Sequence, residues 1–511
     1  MSGWKKFSME IIANGTVIEN LKKLAYEKNE DYCIYPDSLQ EAGDSYFFIA
    51  MDEGIKVLIV LGDSDTFNLF KGKNIMLQSI MVKVCTLNNE NCKVLRSIFP
   101  FTNPVCHQGI PITIGLGDRL GLASAGHIRL LKGKNVFPVL AQQSIRELNL
   151  TNRAYEDVLS AASWAVFQEG YTSGFGADGD HLKTAEEIKM ALECGFTMIT
   201  LDCSEHINNN ISSLSNSEID RLYEKIFEKD KQQLEAKYLG KSFKISKNKT
   251  IHFSEDEFKK TVLIYLEAIK YTIDTYNLVL QNYERNIDFE MSIDETLTST
   301  SPESHFFVAS ELIAAHIKIT SLAPRFCGEF QKGIDYRGDL KQFTDEFGIH
   351  AQIASYFGYK ISVHSGSDKF SVFQIIGELT GGNYHLKTAG TNWLEAVRVI
   401  ALKDPSLYRK MHTFALSNLI EAKKYYHITE NIENIPDLSK VKDNELAGLM
   451  DLDDSRQVLH VTYGLLLNAK NPDGSMMFRD EIYALLNKYE DDYYKVLQKH
   501  IGKHLALLGI K

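Results

Sequence analysis

Residues 173–206, SGFGADGDHLKTAEEIKMALECGFTMITLDCSEH, contain a strand, a helix and a second strand in immediate succession. Thr184 and Glu187 have the S/T-x-x-E spacing of a capping box, so a helix is predicted to begin just after Thr184. The run EIKMALECG has an amphipathic helical pattern and ends at Gly195, the residue type that commonly terminates helices. The flanking segments, 173–180 and 196–206, are predicted to be strands, which makes the whole stretch a β-α-β unit.

The same alternation of strand and helix begins at Pro111 and continues along most of the chain. The number of strand candidates is the number that a (β/α)8 barrel requires, so we predict an α/β fold of this TIM-like type. A doubly wound open sheet is the competing arrangement. The predicted strands cover 112–121, 135–144, 173–180, 196–206, 286–296, 318–326, 359–368 and 383–390.

Three regions are predicted around this pattern. Residues 1–108 are expected to form an N-terminal mixed α/β cap, with strands over 45–51 and 55–63 and a helix over 17–28. The barrel is expected over 109–403, and a polar insertion at about 207–255 is interpreted either as a lid or as a solvent-exposed addition. Residues 404–511 are predicted to form a helical extension.

The composition excludes several classes of protein. Of the 511 residues, 44% are hydrophobic and 24% are charged, as in ordinary globular proteins. The net charge of −11 argues against nucleic acid as a partner. The seven cysteines include no CxxC pair, which argues against a disulfide framework or a zinc ribbon. No signal-type segment or membrane-length apolar run is visible, so we expect a cytoplasmic protein without a membrane partner.

The tetrapeptide His-Leu-Lys-Thr occurs twice, at 181–184 and at 385–388, each time at the end of a predicted strand. The carboxyl ends of all barrel strands surround one mouth, where the active sites of such enzymes lie. Strand 286–296 alternates polar and apolar residues, which directs Glu290 into the barrel, and the same alternation directs His364 inward. A carboxylate inside a barrel is costly unless it is paired, so Glu290 requires a partner.

Three histidines at separate strand ends are candidate ligands of a divalent cation: His181, His364 and His385. Imidazole groups with carboxylates nearby suit Zn, Mn, Fe, Co or Ni. The alternative is that each histidine is only hydrogen-bonded, since no short-range motif such as HExxH is present. Asp118 and Arg119 are interpreted as substrate contacts or as a structural Asp–Arg pair.

Four strings within the barrel region resemble the tagaturonate epimerase family. They are GLGDRLG at 115–121, AQQSIREL at 141–148, ADGDHLKT at 177–184, and HLKTAGTNWLEAVRVIALKDPSLYRKMH at 385–412. The resemblance spans about 105–420. It implies a divalent-metal-dependent epimerase that interconverts two keto-uronates, D-tagaturonate and D-fructuronate, by inversion at C3.

The chemistry of this inversion restricts the mechanism. The ketone is at C5, so C3 lies β to the carbonyl and simple enolisation does not activate its hydrogen. Retro-aldol cleavage of the C3–C4 bond, rotation of the aldehyde and re-addition would invert C3. Transient oxidation at C3 is the alternative, but it requires a nicotinamide, and the sequence has no dinucleotide-binding fingerprint.

The resemblance and the strand ends together give each candidate residue a role. Asp180 and Glu290 are predicted to be the acid/base pair, and the three histidines to hold the metal. The expected partner is a small keto-sugar acid, with assembly into a homo-oligomer left open. A lysine Schiff-base aldolase using Lys183 or Lys387 and a non-catalytic sugar-binding barrel are the rival interpretations. The predicted substrate contacts are Asp118, Arg119, Lys183, Asp202 and Lys387.

Overall fold

The computed structural model describes residues 33–511, apart from residues 53, 63, 78–79 and 427. The first part forms a six-stranded antiparallel sheet with two helices. Its elements are β1 (Cys33–Ile34), β2 (Gln40–Ala42), β3 (Ser45–Asp52), β4 (Ile55–Leu61), α1 (Asp65–Leu69), β5 (Lys73–Leu77), β6 (Ile80–Thr86) and α2 (Asn89–Ile98). The predicted strands over 45–51 and 55–63 are β3 and β4, whereas the helix predicted over 17–28 lies outside the described residues.

Eight parallel strands form a closed barrel after this sheet. The strands are β7 (Ile112–Gly115), β8 (Phe137–Ser144), β9 (Gly176–Leu182), β10 (Met198–Asp202), β13 (Asp288–Ile293), β14 (Ser321–Pro324), β15 (Lys360–Val363) and β16 (Tyr384–Lys387), while β11 (Ser242–Lys244) and β12 (Thr250–His252) form a separate hairpin. The last strand, β16, pairs with the first, β7, which closes the ring and excludes an open doubly wound sheet. Each predicted strand segment overlaps one barrel strand, so the predicted (β/α)8 barrel is confirmed.

Helices follow the barrel strands and cover the outside of the ring. They are α3 (Ser124–Leu131), α4 (Ile145–Thr151), α5 (Tyr155–Gln168), α6 (Ala185–Cys194), α7 (Asn216–Tyr223), α8 (Glu228–Tyr238), α9 (Glu255–Val279), α10 (Pro302–Ala314), α11 (Leu340–Phe357), α12 (Phe370–Thr380) and α13 (Thr391–Lys403). The helix predicted after residue 184 is α6. Thr184 and Glu187 form the capping box, and Gly195 ends the helix with φ 104°, a conformation that glycine adopts without strain.

The interior of the barrel is polar, unlike the branched apolar interior that is common in this fold. Five side chains from five strands, each fully buried, show this: Thr113, Asp178, Thr200, Glu290 and His385. The apolar residues that alternate with Glu290 on β13, Phe289 and Met291, belong to the hydrophobic core outside the ring. Such a polar interior is stable only if its groups are paired, which concentrates ionic interactions inside the barrel.

The insertion at about 207–255 packs against the barrel helices. Tyr223, Tyr238 and Phe253 are buried in the same hydrophobic core as the barrel strands. The Tyr238 ring contacts that of Phe307, on α10, with 5.0 Å between the ring centroids. The insertion is therefore a folded addition with its own buried aromatic residues.

The C-terminal region is helical, as predicted. Its helices are α14 (Pro405–Ser417), α15 (Leu419–Ala422), α16 (Asp453–Val461), α17 (Tyr463–Asn468), α18 (Arg479–Lys488) and α19 (Glu490–Leu507). A second hydrophobic core joins them to α13, with Trp393 fully buried and its indole Nε1 donating to the Leu459 carbonyl at 2.8 Å. This packing brings α16 to the mouth of the barrel. No helix in the described part of the chain is long and apolar enough to cross a membrane.

Candidate active site

Lys387, from the second His-Leu-Lys-Thr copy, is the centre of an ionic network inside the barrel. Its ammonium lies 2.9 Å from Asp178 Oδ2, 2.7 Å from Asp180 Oδ1 and 3.0 Å from Glu290 Oε1. It also donates to Thr200 Oγ1 at 2.6 Å. Burial lowers the pKa of Lys387, but the three carboxylates outweigh burial and hold that pKa well above its ordinary value. The partner that the sequence required for Glu290 is thus Lys387.

A second group of side chains lies beside this network and has the composition of a metal site. His181, Asp294 and His364 each offer one ligand atom, and these atoms all lie within 4.8 Å of one another. His364 Nδ1 is 3.1 Å from Asp294 Oδ1, and His181 Nε2 is 3.9 Å from the same oxygen. Two of the three predicted histidines are therefore adjacent, and a carboxylate stands beside them.

The far nitrogen of each histidine is held by a carboxylate. His181 Nδ1 lies 2.8 Å from Asp180 Oδ1, and His364 Nε2 lies 2.7 Å from Glu290 Oε1. This arrangement fixes the orientation of a ligating imidazole and increases its basicity. Burial lowers the pKa of His181, but Asp180 raises it to about 10, so the ring is positively charged until a cation replaces its proton.

His181 has an unusual backbone conformation. Its φ is 54°, in the left-handed region that non-glycine residues rarely adopt. Such strained residues persist where the surrounding structure holds them, and they are concentrated at functional sites. Here the strain directs the imidazole toward Asp294 and His364.

His385, the third predicted ligand, is not brought to this group. It is fully buried inside the barrel, where its Nδ1 lies 2.8 Å from Thr113 Oγ1 and its ring stacks on that of His107, with 5.9 Å between the ring centroids. The reason is position along the strand. His385 is in the middle of β16, opposite Thr113, whereas Lys387 is at the carboxyl end of the strand and reaches the mouth. Asp294 occupies the place that the prediction gave to His385.

Four predicted substrate contacts also have other partners. Asp118 accepts three backbone N–H bonds, from Leu120, Gly121 and Ala123, and so stabilises a turn. Asp202 accepts from the backbone of Ser204, and Lys183 pairs with Glu205 at 2.8 Å on the outside of the cavity. The fourth, Lys387, forms ion pairs with the three carboxylates described above. Of the five predicted contacts, Arg119 and Lys387 line the cavity, and Arg119 Nη1 is buried without a hydrogen-bond partner among the described residues.

A cavity opens at the mouth of the barrel, beside the ionic network and the histidine–carboxylate group. Its lining includes Asp180, His181, Asp294, His364 and Lys387. It also includes residues that the sequence interpretation did not identify: Arg146, Lys332, Tyr426 and His460. None of the described residues that line the cavity comes from 207–255, so the lid interpretation of the insertion has no support here.

The cavity residues that the sequence interpretation did not identify differ in how far the sequence pattern indicates them. Asp294 continues the alternation of Asp288, Glu290 and Ser292 on β13, so the pattern itself could have identified it. Arg146 stands in the string AQQSIREL directly after a predicted strand. Tyr426 and His460 come from the C-terminal helical region, and only its packing against α13 brings them to the cavity.

A second His–carboxylate group lies away from the mouth, formed by Asp368, His500 and His504. Its polar atoms are already paired. Arg456 Nη2 lies 2.7 Å from Asp368 Oδ2, and His504 Nε2 accepts the Asp368 backbone N–H at 3.1 Å. We interpret this group as an ionic cluster that fixes the loop after β15 against α19.

Comparison with known proteins shows the family. The sequence model of the tagaturonate epimerase family (UxaE) matches residues 35–508. This chain belongs to the tagaturonate epimerase family. It is 42% identical over 478 residues to the tagaturonate/fructuronate epimerase of Thermotoga maritima, a match that covers 93% of this chain and 97% of that protein. Membership makes it an enzyme of the isomerase class.

Two solved structures of a family member share the fold. Both are of the fructuronate-tagaturonate epimerase UxaE from Cohnella laeviribosi, and each match covers 97% of this chain and 99% of that one. A glycerol complex superposes with a TM-score of 0.93 at 51% identity, and the native form with a TM-score of 0.93 at 50% identity. The tagaturonate epimerase fold therefore extends over the N-terminal sheet and the C-terminal helices as well as the barrel.

Proposed function

We propose that this enzyme interconverts D-tagaturonate and D-fructuronate by inversion at C3, and that it requires a divalent cation held by His181, Asp294 and His364. The proposal rests on the observation that the candidate metal ligands and the candidate base line one cavity. The histidine–carboxylate group opens into the same space as Asp180, within a chain similar over nearly its whole length to epimerases named for this reaction.

The three side chains fit a divalent cation. Ligands about 2.0–2.2 Å from a tetrahedral zinc ion lie about 3.3–3.6 Å apart. The distances of 3.1 and 3.9 Å from Asp294 Oδ1 to the two imidazoles are close to this spacing. Two nitrogens and one oxygen also suit Mn, Fe, Co or Ni. A cation bound here would polarise the substrate ketone as a Lewis acid and stabilise the enolate.

Proton transfer is the task of Asp180. Burial raises the pKa of this carboxyl, but Lys387 and His181 outweigh burial and hold it well below its usual range, so Asp180 stays ionised. It accepts the proton of the C3 hydroxyl. The C3–C4 bond then breaks, O3 becomes an aldehyde oxygen, and the electron pair of the broken bond enters the enolate of C4 and C5. Rotation about C2–C3 presents the other aldehyde face, and re-addition with return of the proton to O3 completes the inversion.

For Glu290 we propose a role other than that of the predicted acid/base catalyst. It is fully buried behind His364, and it accepts hydrogen bonds from Ser321 and faces Lys387. Glu290 is not among the side chains that line the cavity, whereas His364 is. We therefore propose Glu290 as a positioning residue for His364.

A Schiff-base mechanism is disfavoured by the same network. A lysine nucleophile must lose its proton, whereas the carboxylates around Lys387 raise its pKa. Lys183, the other candidate, is paired with Glu205 and does not line the cavity.

The reaction itself is the first test. The purified enzyme with added Mn²⁺ or Zn²⁺ is expected to convert either keto-uronate into a mixture of both, as followed by NMR. EDTA is expected to stop the conversion, and an added divalent cation to restore it. An unchanged spectrum under all of these metal conditions would contradict the proposed substrates. Full activity after complete removal of metal would contradict the proposed cation.

Asp180→Asn is expected to lower kcat by about 10²- to 10⁴-fold with little change in KM, because the variant lacks the proton acceptor. Steady-state kinetics with D-tagaturonate measure this effect. Asp178→Asn is the matched control, since Asp178 also contacts Lys387 but does not line the cavity. Burial raises the pKa of Asp178 to about 6, so an amide replaces a group that is easily protonated. Equal losses of kcat in the two variants would show that Asp180 acts only through Lys387.

A further inference from the structure

One part of the cavity lining, which we call the cationic end, carries three positively charged side chains. Arg119, Arg146 and Lys332 converge there from β7–α3, α4 and the loop after β14. Two carboxylates, Glu147 and Glu295, line the same end. The cations at this end therefore outnumber the carboxylates.

Lys332 is the least compensated of the three cations. Its ammonium donates to Ser365 Oγ at 2.9 Å, and no described carboxylate lies within ion-pair distance of it. Burial and the positive charges of Arg146 and Arg119 lower the pKa of Lys332, which an incoming anion would reverse. A partly buried ammonium among other cations is costly unless a ligand supplies the negative charge.

The two arginines are only partly occupied. Arg119 donates Nε and Nη2 to one oxygen of Glu147, at 3.0 and 2.9 Å, and leaves Nη1 buried without a partner. Arg146 lies 3.9 Å from Glu295, which is too long for a hydrogen bond, and its guanidinium stands over the Tyr426 ring at 5.1 Å. Donors therefore remain available on both side chains.

His460 adds an uncharged donor at this end. It is 1% exposed, it lines the cavity, and neither ring nitrogen has a hydrogen-bond partner in the described structure. Burial and the nearby cations hold its pKa well below the usual value, so the ring is neutral. Its ring packs closely against Gly390, where a Cβ would meet His460 Cε1 at 2.2 Å. Buried polar groups in a native protein normally have partners, so an unpaired imidazole here indicates a ligand.

We infer that Lys332 and Arg146 bind the carboxylate of the sugar acid, with His460 donating a further hydrogen bond at the same end of the cavity. The inference rests on the proposed function and names the residues that select an acid over a neutral sugar. Binding of the carboxylate by these residues would also orient the substrate. With the C1 carboxylate at Lys332, the rest of the sugar lies in the cavity that Asp180 and the histidine–carboxylate group also line.

The test compares two substrates in Lys332→Met. One is D-tagaturonate, and the other is the neutral ketohexose in which a hydroxymethyl group replaces its carboxylate. For the acid, kcat/KM is expected to fall about 10- to 100-fold, mainly through KM, as for the loss of a charged hydrogen bond. For the neutral sugar, kcat/KM is expected to stay within about twofold of the wild type, because no charge is lost from that complex. Lys332→Arg is expected to recover part of the binding of the acid.

Lys424→Met is the matched control. It removes the same charge near the mouth, but Lys424 is paired with Glu421 outside the cavity. Its kcat/KM for both substrates should equal that of the wild type. Equal losses for the acid and the neutral sugar in Lys332→Met, or an unchanged KM for the acid, would overturn the inference. If the wild-type enzyme acts on the neutral sugar but not on D-tagaturonate, the proposed function itself fails, which is a different outcome.

Discussion

Lys387→Met is expected to destabilise the folded protein by about 3–5 kcal/mol and to abolish measurable epimerisation. The substitution leaves the carboxylates of Asp178, Asp180 and Glu290 inside the barrel without the ammonium that lies within 3.0 Å of each. Urea unfolding of metal-free protein, followed by circular dichroism, measures the stability.

The pH dependence of this loss follows from the charges. Without Lys387, the folded protein favours protonated carboxyls, so their pKa values rise above the value of about 4 in the unfolded chain. A carboxyl whose pKa is raised in the folded state lowers the stability fully at a pH above that raised pKa. It has no such effect at a pH below the pKa of the unfolded chain. The difference between the variant and the wild type should therefore narrow as the pH falls toward 4.

Lys183→Met is the matched control, because Lys183 holds the same place in the other His-Leu-Lys-Thr copy. Its side chain is 38% exposed and pairs with Glu205 on the surface. Exposed ion pairs contribute less than about 1 kcal/mol, so this variant should unfold close to the wild type. If both variants lose the same stability, the ionic network does not have the role that we assign to it.

Asp294→Ala is expected to weaken binding of the divalent cation by more than about 100-fold, because loss of a direct ligand exceeds the 10- to 100-fold effect of removing an orienting partner. Isothermal titration with Zn²⁺ or Mn²⁺ measures the affinity. Activity should fall at limiting metal and recover in part at a large excess.

His385→Gln separates this ligand set from the one that the sequence predicted. His385 bonds to Thr113 inside the barrel, so glutamine should leave the affinity for the cation within a few-fold of the wild type. A collapse of metal binding in His385→Gln, together with normal binding in Asp294→Ala, would restore His385 as the ligand.

The fold was predictable because its signals are local. A capping box, a terminal glycine and alternating strands repeat along the chain, and each can be recognised within about ten residues. The number of strands favoured a closed ring over an open sheet, and the pairing of β16 with β7 decided between them. The burial of Tyr223 and Tyr238 in the insertion could not be predicted from local patterns, because it depends on contacts with residues distant in sequence.

The site was predictable only in part, for a related reason. Alternation indicates which face a side chain occupies, and it correctly directed Glu290 and His364 inward. It does not give the depth of a residue along the barrel axis, so it did not predict that His385 lies inside the barrel or that Lys387, two positions further on β16, joins the ionic network. The depth depends on the stagger between neighbouring strands, which the pairing of β16 with β7 sets.

The position of Lys387 near the end of the barrel sequence has a consequence for synthesis on the ribosome. The acidic groups of β9 and β13 emerge first, and the ammonium that neutralises them emerges with β16, about 200 residues after Asp178, which takes roughly 10–40 s at ordinary rates of translation. During this interval His181 and His364 are present, but the ammonium that joins Asp178, Asp180 and Glu290 is not. The ionic network can therefore form only after β16 has been synthesised and has entered the ring.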